Sequence, residues 1–575
     1  MNCRAILPLV LSLLAGPAVL FGQATLRLVT TTVGPLTFAT GGVPPSQTVE
    51  AFNAGSGNLN LTLSSSVPWM NANVGTSRNC TTRSGQCLPI TISFQTGTLT
   101  RGIYTGILTV RDPNAIDAPQ TVTVTIQAGG GVPDNANLFV APGRSTEVPF
   151  TTNAAIDGRN APAWLTLALE GGGTFRFIYN YRLVANAGSL AAGNYTGSIT
   201  TSGSSFAPDN KTIPVTLSVT SNPIAAPSPS TLRFRIPQGG GRFTQFITMN
   251  NRGLGNLAVS TVTPATTAGG TWLTGATQPN NAALVRVEAD AGTLAQGTYA
   301  GTITLASNAA NGNQVIPVTL EVIAAGPPAA SVGNVLNIGT YGRNEPVAPG
   351  GATAIFGEQF VTAGTQPASP SALPLPTELG GVRVFVNDVA APLYYTSYDQ
   401  VNFQIPFETV PGLARVRVDR GAQRGNTVSV EVQARAPRIM TYFGDYGIVV
   451  NGNDGTLVLP RAFGVPNGKP ARAGEVLVIY AIGLGQTSPT VTSGVGSPAV
   501  EPLARLDPPP AVTFGRRGPF NQVNALPFFA GLAPGFVGLY QINVIVPDNA
   551  PVGDDVPISL DMDGIGSNAA RIAIQ

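Results

Sequence analysis

Alternation of apolar and polar residues is the dominant pattern along this chain. It is clearest in TVTVTI from Thr121, TIPVTLSV from Thr212 and VIPVTLEV from Val315. A period of two sustained over such a run predicts an antiparallel strand with one face buried and one toward solvent. No stretch has a sustained apolar stripe at the helical period of 3.6 residues, so we expect few and short helices.

Each of these strands closes a repeat that occurs three times. The strand follows TLTRGIYTGILTV, SLAAGNYTGSITT or TLAQGTYAGTITL, and a tryptophan precedes each of these motifs. A repeat of about 100 residues has the size of an immunoglobulin-like sandwich, which places a tryptophan in its core and a tyrosine at a corner. We therefore predict that six side chains pack inward and that each tyrosine hydroxyl is bound to backbone: Trp69, Trp164, Trp272, Tyr104, Tyr195 and Tyr299. The alternative for the tryptophans is that they stack on sugar rings.

A second, longer repeat occupies the C-terminal part of the chain. EPVAPGGATAIFG from Glu345 corresponds to KPARAGEVLVIYAIGLG from Lys469, and DQVNFQIP from Asp399 corresponds to YQINVIVP from Tyr540. The offset grows from 124 to 141 residues between the two elements, so the later copy contains an insertion. These correspondences predict two further sandwiches.

Stretches rich in Gly, Pro and Ser near Gly129, near Ser221 and from Val322 to Ser331 are typical of linkers. The prediction is an all-β fold, a tandem array of immunoglobulin-like β-sandwich domains with short Gly/Pro linkers. We place three sandwiches at 25–128, 131–221 and 222–325, and two Ig-like C-terminal domains at 326–437 and 438–575.

The first 24 residues predict export. A short basic segment, an apolar run interrupted by Pro8 and Pro17, and small residues near Gly22 are typical of a cleaved signal peptide at 1–24. The interrupted run is a weaker candidate for a retained anchor, since a stable span needs roughly 20 apolar residues. We expect a secreted or cell-surface protein without a membrane span after cleavage.

Removal of the signal peptide leaves two cysteines, Cys80 and Cys87, in CTTRSGQC. An even count in an exported chain, spaced to close a tight loop, favours a disulfide. A redox or metal pair is the alternative, but it lacks the C-x-x-C spacing and further soft ligands. No metal site is predicted from these residues.

Composition narrows the chemistry. The 575 residues include no histidine, and only 10% are charged. Without histidine there is no Ser-His-Asp triad and no HExxH zinc site. A net charge of +2 and the lack of a basic run argue against a nucleic-acid partner. The glycine runs do not end in the GK[ST] of a phosphate loop, and we predict no catalytic residue and no cofactor.

An aromatic row in GGGTFRFIYNYRL is the candidate ligand-binding site. In an extended strand, Phe175, Phe177, Tyr179 and Tyr181 fall on one face, and Arg176 and Arg182 fall on the other. An exposed aromatic face would bind a ligand or a partner. The alternative is that the row fills the core of the second sandwich and leaves the arginines outside.

Two acidic stretches invite comparison with calcium sites. NGNDGT at 451–456 and DMDGIGSN at 561–568 carry the oxygen ligands that Ca²⁺ prefers, but neither completes an EF-hand loop. Asn-Gly and Asp-Gly are also the preferred dipeptides of hairpin turns, and the turn is the simpler interpretation.

The N-terminal repeats resemble the BACON domain, a β-sandwich module of bacterial secreted proteins often found beside carbohydrate-active domains. The resemblance rests on the Trp-Leu turn, the Leu-x-x-Gly-x-Tyr-x-Gly-x-Ile-Thr element and the closing Val-Pro-Val-Thr-Leu strand. The third copy matches best, through Trp272, Leu273, Leu294, Gly297, Tyr299, Gly301 and 315–322. The first copy departs from it, with Met70 after its tryptophan and a cysteine-closed loop.

Residues 331–575 resemble an uncharacterised C-terminal domain of large secreted acidobacterial proteins of the Solibacter type. The matching stretches are APGGATAIFG, LPTELGGVRVFVNDVAAPLYYTSYDQVNFQIP, ARAGEVLVIYAIGLG and FAGLAPGFVGLYQINVIVP. Together the two resemblances imply a secreted or cell-surface protein without an enzyme module.

The predicted function is that of a non-catalytic exported protein in adhesion or in glycan or matrix binding, with a glycan or a cell-surface or matrix protein as partner. The alternative is a structural spacer or assembly protein whose C-terminal domains dock a partner. A hydrolase is the third class. Glycosidase chemistry needs a carboxylate pair placed by the fold, and neither resemblance supplies a catalytic module.

Overall fold

The computed structural model describes residues 23–170, 179–463, 465–515 and 522–575. Within these ranges the chain is all-β, as predicted, and its only helical segments are the 3₁₀ turns Ala207–Asp209 and Arg461–Phe463. The predicted signal peptide falls outside the described residues, except for its last two positions. Every sheet takes its strands from a single one of the five predicted segments.

The first sandwich pairs a five-stranded sheet, β1-β3-β7-β5 with β6 on β7, with the four-stranded sheet β2-β9-β8-β4. Its strands are β1 Leu26–Leu28, β2 Thr32–Phe38, β3 Gln47–Asn53, β4 Thr62–Ser65, β5 Met70–Val74, β6 Arg78–Asn79, β7 Gln86–Phe94, β8 Gly102–Arg111 and β9 Gln120–Ala128.

The second sandwich has a four-stranded sheet, β10-β16-β15-β12, and a three-stranded sheet, β11-β14-β13. Its strands are β10 Ala136–Val140, β11 Ser145–Thr152, β12 Asp157–Arg159, β13 Leu165–Leu169, β14 Tyr179–Asn186, β15 Gly193–Ser202 and β16 Thr212–Val219.

The third sandwich consists of the sheets β17-β19-β22-β21 and β18-β24-β23-β20. Its strands are β17 Ala225–Ser228, β18 Leu232–Pro237, β19 Arg242–Asn251, β20 Val259–Thr266, β21 Leu273–Gln278, β22 Asn281–Asp290, β23 Gly297–Ser307 and β24 Gln314–Ile323. In all three N-terminal sandwiches an early strand runs parallel to the closing strand of its sheet: β2 with β9, β10 with β16 and β18 with β24.

The fourth sandwich consists of the sheets β25-β26-β30-β29 and β28-β27-β31-β32. Its strands are β25 Ala329–Asn337, β26 Ala352–Glu358, β27 Val382–Val386, β28 Val389–Ala390, β29 Leu393–Thr396, β30 Gln400–Gln404, β31 Gly412–Arg420 and β32 Gln423–Val432.

The fifth sandwich has two seven-stranded sheets and therefore more strands than the fourth. Its strands are β33 Arg438–Ile439, β34 Thr441–Phe443, β35 Tyr446–Gly447, β36 Val449–Asn451, β37 Leu457–Val458, β38 Gly468–Lys469, β39 Val476–Ile482, β40 Ala511–Phe514, β41 Val523–Ala525, β42 Phe529–Leu532, β43 Tyr540–Ile545, β44 Gly553–Met562, β45 Ile565–Gly566 and β46 Ala570–Ile574.

Each N-terminal sandwich is organised around its repeat tryptophan. Trp69 and Trp272 are buried, and Trp164 is half-buried against its core. The glycine two residues after the repeat tyrosine leaves room for the indole. A methyl group on Gly197 would lie 3.1 Å from Trp164 Cζ2, and one on Gly301 would lie 3.2 Å from Trp272 Cη2.

The repeat tyrosines close the same corner in all three copies. Each hydroxyl donates a hydrogen bond to the backbone carbonyl four residues upstream, over 2.8 Å for Tyr104 and 2.9 Å for both Tyr195 and Tyr299. This geometry matches the corner that immunoglobulin-like sandwiches build with tyrosine. The Tyr-x-Gly part of the motif is therefore a packing signature and not a binding motif.

We expect Gly106→Ala to lower the stability of the first sandwich by about 1–3 kcal/mol, the usual range for overpacking a core. The added methyl would lie 2.5 Å from Val67 Cγ2 and 3.2 Å from Trp69 Cζ2. Hydrogen exchange of β8 and β9 in the full chain measures the change. Gly97→Ala is the matched control because no heavy atom lies within 4 Å of its added methyl; equal protection in both variants would contradict the packing role.

Candidate binding clefts

The structure places the described residues of the aromatic row, Tyr179 and Tyr181, in or against the core of the second sandwich. Tyr181 is 3% exposed, and its ring stacks on Phe150 at 5.7 Å between centroids. Its hydroxyl accepts a hydrogen bond from the Ile156 amide over 2.8 Å and donates one to the Ile156 carbonyl over 3.0 Å. Tyr181 is therefore not part of an open ligand-binding face, and the core interpretation is correct for this residue.

The other aromatic residues of the row are Tyr179, Phe175 and Phe177. Tyr179 is half-buried and packs on the same core, whereas Phe175 and Phe177 lie outside the described residues. On the opposite face of β14, Arg182 forms ion pairs with Glu147, at 2.5 Å, and with Glu170. The alternation of β14 thus leaves its arginine outside, as the core interpretation requires.

A cleft of about 310 Å³ opens where the second sandwich meets the first. Ile103 and Phe150 supply apolar surface, and Gln127, Glu170 and Asn180 supply polar groups. Gln127 is 6% exposed, and among the described residues its Oε1 has no hydrogen-bond partner. Gln127 belongs to the outward face of β9 and is buried because a neighbouring sandwich covers it.

The linker at this junction is held by side chains of both sandwiches. The buried Asp209 accepts hydrogen bonds from the amides of Gly131, over 2.6 Å, and Val132, over 3.0 Å. Arg101 and Lys211, from the first and second sandwich, both pair with Asp134 at 2.8 Å. The hydrogen bond from Lys211 and the charge of Arg101 outweigh partial burial and lower the pKa of Asp134. These contacts fix the orientation of the two sandwiches.

The first sandwich also docks against the fourth, far away in sequence. Asp117, whose side chain is 1% exposed, pairs with Arg27 of its own sandwich. Its carboxylate also accepts hydrogen bonds from the Ser429 amide, over 2.5 Å, and the Ser429 hydroxyl, over 2.6 Å. The Asp117 amide donates to the Thr427 carbonyl over 3.0 Å. The chain therefore folds back on itself, and β32 forms the docking surface.

A second cleft, of about 620 Å³, lies beside this contact. Its walls come from the end of β8 and the following loop of the first sandwich, and from the start of β32 in the fourth. Two arginines, Arg111 and Arg424, line it together with Gln23, Thr62 and Thr427. The sequence contained no signal for this site because it exists only after the two sandwiches dock.

The fourth and fifth sandwiches are joined by side chains that cross their junction. Phe407, just after β30, packs among the buried residues of the fifth sandwich. The Tyr394 hydroxyl donates to the Val537 carbonyl over 3.0 Å, and burial raises the pKa of Tyr394. Glu345 of the fourth sandwich pairs with Arg438 of the fifth at 2.9 Å. Burial raises the pKa of Glu345, but hydrogen bonds from Thr340, Arg438 and Asn337 outweigh it and lower this pKa overall.

The predicted disulfide forms between Cys80 and Cys87. Together with Glu50 these cysteines are the group of potential metal ligands found in the described part of the chain, with donor atoms within 4.8 Å of one another. Metal ligation by cysteine needs thiolates, and both sulfurs are bonded to each other. Glu50 is also occupied, since it accepts hydrogen bonds from the Thr81 amide and hydroxyl, each over 3.0 Å.

Both acidic stretches form hairpin turns. The first joins β36 to β37, and its Asp454 accepts hydrogen bonds from the Thr456 amide and hydroxyl and pairs with Lys469. The hydrogen bonds from Lys469 and Thr456 lower the pKa of Asp454 to about 2. The second joins β44 to β45. Turn formation therefore accounts for both sequences.

These features define a class of protein: an array of five β-sandwiches in which the first contacts the second and the fourth, and the fourth contacts the fifth. Clefts lie at the two junctions of the first sandwich. In the described residues no helix is both long enough and apolar enough to span a membrane. No family model matches the chain, and no curated protein matches its sequence.

Solved structures give weak likenesses. Sidekick-1 immunoglobulin domains 1–5 share 14% identity, over 96% of this chain and 99% of theirs, with a TM-score of 0.17. The human desmocollin-1 ectodomain shares 10%, over 94% and 98%, with a TM-score of 0.16. The endo-fucoidan hydrolase MfFcnA4 from glycoside hydrolase family 107 shares 15%, over 53% of this chain and only 45% of its own, with a TM-score of 0.18. At these scores the likenesses carry no argument about function.

We expect Asp117→Asn to loosen the contact between the first and fourth sandwiches. The substitution removes the charge that pairs with Arg27. Breaking a fully buried ion pair costs about 3–5 kcal/mol of stability. The cost is lower here because the Arg27 side chain is 31% exposed. Hydrogen exchange of β32 should rise, and small-angle scattering should show a larger radius. Asp290→Asn, which removes an exposed pair with Arg242 inside the third sandwich, is the control. Unchanged exchange in β32 would show that Asp117 does not hold the contact.

Proposed function

We propose that this chain is a non-catalytic exported protein of the cell surface or extracellular space that binds a glycan of its surroundings. In this proposal the N-terminal sandwiches are BACON-like modules, and the two C-terminal sandwiches belong to the acidobacterial domain family that they resemble. The proposal extends to adhesion, since an array of fixed sandwiches offers binding sites at several junctions.

The observation that carries this proposal is the lining of the first cleft. The Phe150 ring and the Ile103 side chain, which is 66% exposed, lie there beside Gln127, Glu170 and Asn180. Apolar surface beside amide and carboxylate groups suits a sugar ring, which has an apolar face and hydroxyl donors.

A glycan array probed with the full chain tests this function. We expect binding to at least one oligosaccharide, and the double variant Ile103→Ser, Gln127→Leu should weaken it about tenfold, equivalent to 1.4 kcal/mol. Val315→Ser is the control, because this valine is also largely exposed but lies in the third sandwich. The proposal is wrong if the unmutated chain binds no oligosaccharide, and the assignment to this cleft is wrong if the double variant binds normally.

A second candidate is an assembly protein that docks a partner through its last sandwich. Large apolar side chains are strongly exposed there: Val500, Leu526, Phe528 and Phe536. Exposed apolar residues favour protein association when they gather in a patch. Sedimentation at high concentration tests self-association. If the chain stays monomeric and the double variant Leu526→Ser, Phe528→Ser behaves identically, the protein does not self-assemble through this surface.

A linear spacer is disfavoured because the first and fourth sandwiches are docked.

A further inference from the structure

The cleft between the first and fourth sandwiches concentrates positive charge. Arg111 ends β8 on one wall, and Arg424 lies near the start of β32 on the other. Within the described ranges, no ion pair or hydrogen bond engages either guanidinium. Neighbouring arginines differ in this respect, since Arg415 and Arg417 both pair with Asp388.

The wall of this cleft also carries one acid, Asp112, so two positive charges face one negative charge in its lining. Asp112 is 3% exposed, and its two carboxylate oxygens accept hydrogen bonds from the amides of Asn60, over 2.6 Å, and Asn114, over 2.9 Å. Its charge is therefore held by the backbone of its own sandwich. A smaller cavity of about 70 Å³ shares Gln23, Arg424 and Thr427 with the cleft. It is also lined by Arg415 and Arg417 and by Asp388, which pairs with both.

The rest of the lining is suited to a sugar. Gln23, Thr62 and Thr427 offer amide and hydroxyl groups, and Pro113, Ala115, Ala118 and Pro119 offer apolar surface. A guanidinium binds carboxylate and sulfate groups through two parallel hydrogen bonds, and it is less strongly hydrated than an ammonium group. The combination of two cations, hydroxyl partners and an apolar wall selects an acidic saccharide over a neutral one.

We propose that this cleft binds the carboxylate or sulfate groups of an acidic polysaccharide, with Arg111 and Arg424 as the anion-binding residues. This inference rests on the proposed glycan-binding function and specifies the chemical class of the ligand. The contact of Asp117 with Ser429 sets the spacing of the two arginines before any ligand arrives, because Arg424 and Ser429 belong to the same strand. An acidic peptide is the competing ligand, and the experiment includes it.

Titration calorimetry with the full chain tests the proposal against four probes: a sulfated heparin oligosaccharide, an oligogalacturonate, a neutral dextran oligosaccharide and a poly-glutamate peptide. We expect one or both acidic saccharides to bind, and Arg111→Gln, Arg424→Gln to weaken that binding about tenfold or more. The sulfated and carboxylated probes show which anion is preferred. Binding should also weaken as salt rises, since ions screen these charges.

The matched control is Arg144→Gln, Arg252→Gln. It removes two exposed arginines of the second and third sandwiches that no described ion pair engages, so the net charge changes equally. We expect less than about a twofold loss, because bulk charge contributes little at this distance. Equal losses in both double variants would overturn the site. Arg111→Lys, Arg424→Lys should retain part of the binding, and thermal unfolding of every variant checks that the fold is intact.

The outcomes separate this inference from the proposed function. Binding of the neutral probe or of array glycans without binding of either acidic saccharide would overturn the inference and leave glycan binding in place. A failure of every saccharide would overturn both. Binding of poly-glutamate as tightly as the acidic saccharides, with the same loss in Arg111→Gln, Arg424→Gln, would assign the cleft to an acidic protein instead.

Discussion

The buried carboxylate of Asp117 is the contact on which the arrangement of the sandwiches depends. It pairs with Arg27 in the first sandwich and accepts a hydrogen bond from Ser429 in the fourth, 312 residues further along the chain. A carboxylate removed from water is unstable unless it is paired and fully hydrogen-bonded. Here Arg27 comes from the same sandwich and Ser429 from the fourth, so the carboxylate has its full set of partners only while the two sandwiches stay docked. The array is closed back on itself by this requirement and not by the linkers alone.

Much of the fold follows from local pattern. Alternation predicts the strands, and the repeated Trp, Tyr and Gly positions predict the sandwich units, because each residue acts within about 100 residues of chain. A repeated asparagine turn, which was not predicted, has the same local origin. Asn53 and Asn251 make equivalent turns, accepting from the amide two residues on and donating to the carbonyl four residues on, over 2.9 and 2.8 Å in both cases. The signal was present in NAGSGNL and NRGLGNL.

The candidate sites could be predicted much less well. Alternation assigns side chains to two faces of a strand but does not decide which face another sandwich will cover. Tyr181 was therefore open to two interpretations, and Gln127 resembled any outward-facing polar residue. Phe407 shows the same limit, since a residue following a strand of the fourth sandwich packs in the core of the fifth. Clefts formed by docking depend on contacts between residues far apart in sequence, which no local pattern encodes.

Because the chain has few charged residues, two arginines without an ion pair in the described ranges, Arg111 and Arg424, indicate an anion-binding site more strongly than they would on a highly charged surface. On a surface rich in lysine and glutamate, a free guanidinium is ordinary and finds exchangeable partners in every direction. Only 10% of the residues of this chain are charged, so acids are scarce. Near the cleft between the first and fourth sandwiches, Asp112 accepts hydrogen bonds from backbone amides and Asp388 pairs with Arg417. The two guanidiniums on facing walls then outnumber the single acid of the described lining, Asp112, and leave the cleft with an excess of positive charge. Docking brings those walls together. The buried Asp117 therefore fixes the geometry of the cleft, and the exposed Arg111 and Arg424 supply its positive charge.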